Sequence, residues 1–286
     1  NYLISEKVQK AIMLIDSKDP NKEMGFLDHL EALRWHIVRA VVVISVLGFV
    51  AFFNKELIFD GIILAPKNKD FWTYRMLCEL SQKYNLDMCF DQINFSVINL
   101  DISGQFTTHM WIAVMTGFIL GFPYLIWELW RFIRPALSER EIKYSRGIVF
   151  FTSFLFMLGI LFGYYIITPM SINFLGNYQV SAEIKNQISM DSYINIVTVL
   201  SLSTGFVFEL PMVIYFLSKL GIMSPSFMRT YRKHAMIINL IIAAVITPSP
   251  DVTSQMLVAI PLFLLYEISI YVSAMVERNK NKEALQ

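Results

Sequence analysis

Charge is scarce in this chain. Asp, Glu, Lys and Arg make up 16% of its 286 residues, against about 25% in an ordinary soluble domain. The four histidines, His29, His36, His109 and His234, lie far apart and lack metal-ligand spacing, so no metal site is expected. There is no G-x-x-x-x-G-K-S/T loop for a nucleotide, and no G-x-S-x-G or H-E-x-x-H signature of a hydrolase. Internal repeats, low-complexity tracts and heptads are missing, and with them the inverted-repeat signature of many transporters. A net charge of +1 removes any bulk electrostatic case for nucleic acid. These absences point to a binding or conducting device without a cofactor, not an enzyme, with any work driven from outside the chain, for instance by a proton gradient.

What is abundant is apolar: 55% of residues are hydrophobic and 14% aromatic. They fall in long continuous runs between clusters of charge, not in the ~10-residue alternating segments of a membrane barrel. The expected fold class is all-α, a polytopic membrane protein, because helices satisfy every backbone group in lipid. Hydropathy places six spans at about 35–53, 106–127, 147–167, 193–220, 235–246 and 256–275. Of the 24 Lys and Arg, eighteen fall on the side of both termini and six on the other. Both termini are therefore expected in the cytoplasm.

The fifth span is short: twelve residues rise about 18 Å against about 30 Å of hydrocarbon. It would thin the bilayer, oligomerise, shelter behind other helices, or form a re-entrant segment. Residues 24–276 form the expected membrane domain, with a long outer loop at 54–105 and a tail at 277–286. That loop holds the only cysteines, Cys78 and Cys89, which could pair on an oxidising side. Residues 1–28 have no signal-peptide character. Residues 1–23 carry apolar positions at helical spacing and read either as an amphipathic cytoplasmic helix or as a loosely ordered tail.

Several acids stand out. Glu209 lies inside an apolar run, between Gly205 and Pro211. A carboxylate there costs about 2.5–3.5 kcal/mol on insertion scales, so it must face protein or water. It is either a neutral structural acid or a polar contact site. At 26–40, Asp28 and Glu31 precede Arg34 and Arg39 at the mouth of the first span, a pattern that also suits plain interfacial anchoring. At 122–146, Trp127, Trp130 and Phe132 suit an interface, and Pro135 breaks the chain. Ser138 to Glu141 then reads as a capping box opening the third helix. Its functional reading is an acidic patch, Glu139 and Glu141, able to grip guanidinium groups bidentately. At 247–255 a tight turn places Asp251 as the cap of the sixth helix. Glu267, inside the last span, is either snorkelling or paired.

Taken in order, these segments closely resemble the TatC family, the core subunit of the twin-arginine protein translocase. The resemblance covers about residues 24–275. It rests on FLDHLEALR, Ala65-Pro66-Lys67, WRFIRPALSEREIKYSR, FGYYIITPMSINFL, GFVFELP, ITPSPDVTSQ and AIPLFLLYE. It implies a cupped six-helix scaffold in the bacterial cytoplasmic membrane. It also implies binding of twin-arginine signal peptides on folded cargo, and partners of the TatA and TatB kinds, other copies of the chain and membrane lipid. Transport would draw on proton-motive force. By this resemblance Glu141 is the loop carboxylate that meets the signal arginines, with Glu31, Glu139 and Arg34 beside it. Glu209 is the membrane-embedded acid that organises partner helices, and Pro66, Asp251 and Gln255 belong to the outer-side motifs. One position departs: where the family's first motif reads HLEELR, the second glutamate is Ala32 here. Two rival readings are a proton-coupled small-molecule transporter using Glu209, and a structural assembly factor with no ligand.

Overall fold

The computed structural model describes residues 26–84, 95–136, 147–181, 183–184, 186–247 and 252–284. Helix α1 (Phe26–Phe53) is followed by a single turn, α2 (Lys55–Ile58), and a π turn at Phe59–Ile63. A 3-10 turn at Ala65–Lys67 leads to α3 (Trp72–Tyr84), strand β1 (Ser96–Ile98) and α4 (Gly104–Ile133). Helix α5 (Ile148–Phe162) runs through a second π turn, Gly163–Ile167, into α6 (Thr168–Asn177). Strand β2 (Gln187–Ser189) precedes α7 (Met190–Val207) and α8 (Leu210–Lys219). Short α9 (Pro225–Thr230), α10 (Arg232–Ile246) and α11 (Val252–Ala284) complete the chain.

Among the described residues, five segments are long and apolar enough to cross a membrane: Glu31–Phe53, Gly104–Ile133, Ile148–Asn177, Met190–Lys219 and Gln255–Lys280. The remaining expected span is α10. It starts at Arg232, earlier than hydropathy placed it, but its 15 residues still rise only about 22 Å. Thr247 is extended (φ −76°, ψ 125°), as the residue before a proline tends to be.

Along α1 the shielded positions Ala40, Ile44, Gly48 and Ala51 follow helical spacing, while Val42, Val46, Phe49 and Phe53 are exposed. The shielded stripe packs antiparallel against α4. Glycines bring the two backbones together: a Cβ on Gly117 would stand 2.6 Å from Gly48 N and Ile44 O. His109 adds a hydrogen bond from Nε2 to the Phe52 carbonyl at 3.0 Å. A second glycine seam joins α5 to α7, where Gly159 faces Gly205 and Gly163 faces Ser201. Small residues are the usual device for this, since lipid gives no hydrophobic drive for helices to associate.

The two π turns disturb backbone hydrogen bonding, and tyrosines compensate. Tyr164 donates to Ile62 O at 2.7 Å, and Tyr193 donates to Ile63 O at 3.0 Å. Tyr74 of α3 reaches Pro169 O (2.9 Å) and Pro66 O (3.2 Å), and Thr73 donates to Tyr165 O. Burial pushes the Tyr74 hydroxyl pKa up, which keeps it a donor. These bonds clamp α3 across that end of the bundle. There β1 and β2 pair in parallel, Val97 opposite Ile188.

Candidate functional site

The most heavily engaged acid in the described structure is Glu128, on α4 near the opposite end of the bundle from α3. It is 1% exposed. His36 Nδ1 of α1 donates to its Oε2 at 2.5 Å, and the Tyr124 hydroxyl donates to Oε1 at 2.9 Å. Arg131 Nη1 lies 3.4 Å from Oε1 and Arg39 Nη1 lies 3.8 Å from Oε2. Helical periodicity explains the convergence: Tyr124 and Arg131 stand one turn either side of Glu128, while His36 and Arg39 share a face of α1. Arg131 also stacks over Trp127, 4.9 Å from the ring centroid. A buried carboxylate needs such a shell to offset its desolvation.

Sequence reasoning missed Glu128. An acid flanked by tryptophans in an apolar run is the same signal that singled out Glu209. Ala32, the departure from the family pattern, stands four residues before His36 and so on the same face of α1. Glu31 and Arg34, within the first three turns of α1, are exposed.

Glu209 sits at the break between α7 and α8. The helix ends at Val207, and Pro211, lacking an N–H, stands at the start of α8. Its side chain is 8% exposed, and Oε1 has no hydrogen-bond partner among the described residues. The neighbouring Phe208 packs over Gly159. Glu128 and Glu209 therefore differ in kind: one acid is saturated with donors, the other is buried with an oxygen left over.

Other predicted residues are dispersed. Pro66 is buried under Tyr74, and Gln255 donates to Leu240 O at 3.2 Å, tying α11 to the short α10. Glu267 is paired, with Arg232 Nη2 at 2.6 Å. Cys78 on α3 is disulfide-bonded, and the one other cysteine of the chain, Cys89, lies outside the described residues. So do residues 1–23, the 138–141 segment with Glu139 and Glu141, and Asp251.

Long apolar helices packed through glycine seams, with carboxylates retained inside them, define a multi-pass helical membrane protein. The comparisons narrow that class. The profile of the family described as "Sec-independent protein translocase protein (TatC)" matches residues 28–261, and the chain belongs to this family. It is 41% identical over 266 residues to the Sec-independent protein translocase protein TatC of Blattabacterium sp. subsp. Periplaneta americana (strain BPLAN), covering 92% of this chain and all of that one. Identity to the protein of the same name from Aquifex aeolicus (strain VF5) is 31% over 262 residues, covering 91% and 98%. A solved structure described as "Crystal Structure of Twin Arginine Translocase Receptor- TatC in DDM" superposes with a TM-score of 0.66 at 31% identity. It covers 86% of this chain and 99% of that one.

Proposed function

We propose that this chain is the signal-peptide receptor and core scaffold of a twin-arginine translocase, exporting folded proteins across a bacterial cytoplasmic membrane under proton-motive force. The observation that carries the reading is the likeness over nearly its whole length to a structure described as a twin-arginine translocase receptor. On this reading both termini face the cytoplasm, in line with the distribution of Lys and Arg. The α1 start and the 138–141 segment then share the cytoplasmic side. Glu141 and Glu139 receive the signal arginines, because planar guanidinium groups match carboxylates bidentately, with Glu31 and Arg34 beside them. Pro66, Asp251 and Gln255 lie on the outer side, where a Cys78–Cys89 bridge staples the loop after α3. TatA-type and TatB-type subunits and further copies of the chain are the protein partners.

The test is site-specific crosslinking of a twin-arginine peptide to residues 128–146 in membranes. Glu141→Ala is expected to lower crosslinking and export at least about tenfold, the equivalent of ~1.4 kcal/mol. Undiminished crosslinking would remove Glu141 from the binding site. A wild-type protein that takes a twin-lysine peptide equally well would remove the receptor reading altogether.

Glu209 has a different expected role. A buried carboxylate oxygen without a partner suits a contact supplied by another subunit's helix. Glu209→Ala is expected to leave peptide crosslinking unchanged while the larger complexes with single-span subunits disappear from native gels. Retention of those complexes would make Glu209 a structural acid only.

A further inference from the structure

The charges around Glu128 do not balance. Arg39 and Arg131 converge on one carboxylate whose close hydrogen bonds are already taken by His36 and Tyr124. The arginines stand at 3.8 and 3.4 Å, beyond the ~2.7–2.9 Å of a tight charge-assisted bond. Each guanidinium has five donors. Among the described residues, Glu128 is the only acid within ion-pairing distance of either one. Their side chains are 48% and 45% exposed. One negative charge thus fixes two accessible guanidiniums, and among the described residues at least one positive charge remains unmatched.

The setting says what would match it. Both arginines belong to the segments long and apolar enough to span a membrane, where an unneutralised cation is costly unless it snorkels to the interface or meets an anion. Trp35 and Trp127, exposed at 54% and 42%, mark the headgroup level at this end. Beside them, Val38, Val41 and Val42 of α1 present an apolar exposed surface. The adjacent ligand must therefore join an anionic head to hydrocarbon.

We propose that Arg39 and Arg131, held in place by Glu128, form a binding site for the phosphodiester of an anionic glycerophospholipid, with its acyl chains lying along α1. The buried carboxylate acts as a fixed counter-ion that pre-positions the two forks, and the phosphate oxygens supply the strong, short acceptors that Glu128 no longer has free. The site borders the segment proposed to take the signal peptide, but it rests on the geometry of the two arginines and not on the receptor reading.

The test uses the full chain purified in neutral detergent, with phosphatidylglycerol or phosphatidylcholine added. Bound lipid is read by native mass spectrometry and the unfolding midpoint by thermal scan. The wild type is expected to retain phosphatidylglycerol at least about tenfold over phosphatidylcholine and to gain a higher midpoint from it. Arg39→Gln plus Arg131→Gln should abolish that preference. Should the double variant fail to fold, each single variant is expected to lower the ratio at least about threefold. Lys233→Gln, a cation on α10 away from the site, should leave it unchanged. Equal retention of both lipids by the wild type, or an unchanged ratio in the arginine variants, overturns the proposal. So does equal protection by inorganic phosphate or by an acidic peptide in place of the lipid.

Discussion

Replacing Glu128 by alanine is expected to destabilise the protein by about 3 kcal/mol, the lower end of the range for breaking a buried ion pair, because the carboxylate is buried while its arginines are half-exposed. The loss is large because the carboxylate is not one partner among several but the common acceptor of the whole cluster. Without it His36 and Tyr124 lose their shared oxygens, and Arg39 and Arg131 face each other with no negative charge between them. Glu128→Gln keeps the shape and one acceptor oxygen and should cost less than alanine. The exposed pair Arg232–Glu267 supplies the contrast. Glu267→Ala is expected to cost at most about 1 kcal/mol, as solvent-accessible ion pairs do. Thermal unfolding of the three variants in one detergent decides the matter. If Glu128→Ala unfolds with Glu267→Ala rather than well below it, the cluster is no more than a surface pair.

The same cluster marks where reading the sequence stopped. Hydropathy located the spans because lipid demands long apolar runs, and it placed all but the short fifth one within a few residues of their cores. It ended the third at 167, whereas the segment continues to Asn177. The π turn at Gly163–Ile167 re-phases the helix so that Pro169 falls near the start of α6, where a missing N–H is tolerated. A π turn has no periodicity signature of its own.

Which face of each helix packs was also hidden. In a lipid-bathed helix the exposed and shielded faces are both apolar, so the valines of α1 give no contrast with the stripe through Ala40, Ile44 and Gly48. The acids were legible to different degrees. Glu209 and Glu128 are each conspicuous in an apolar run, but the aromatic neighbours of Glu128 read as an interface belt. Its partner His36 lies 92 residues away in sequence, a pairing that no local spacing encodes. For Glu267 the sequence left snorkelling and pairing open, and Arg232 resolves it as pairing.

Glycine was the overlooked signal, and it carries the second large effect. Gly117→Val is expected to separate α1 from α4 and to cost about 3 kcal/mol or more, at or above the upper end for overpacking. A Cβ there would meet Gly48 N and Ile44 O at 2.6 Å and Gly48 Cα at 2.7 Å. All three are backbone atoms, so no side chain can swing aside. The helices must part, and the bridges that join them, His109 to Phe52 and His36 to Glu128, go with the seam. Damage at the middle of the helix pair therefore reaches the charged cluster near its end. Gly61→Ala is the matched control, because its Cβ meets only Leu57 Cδ1 at 3.9 Å, an ordinary contact. The readouts are monodisperse yield after detergent extraction and the unfolding midpoint. A Gly117→Val protein that matches Gly61→Ala in both would mean that α1 and α4 do not depend on close backbone approach, and the account of how Glu128 is positioned would fall with it.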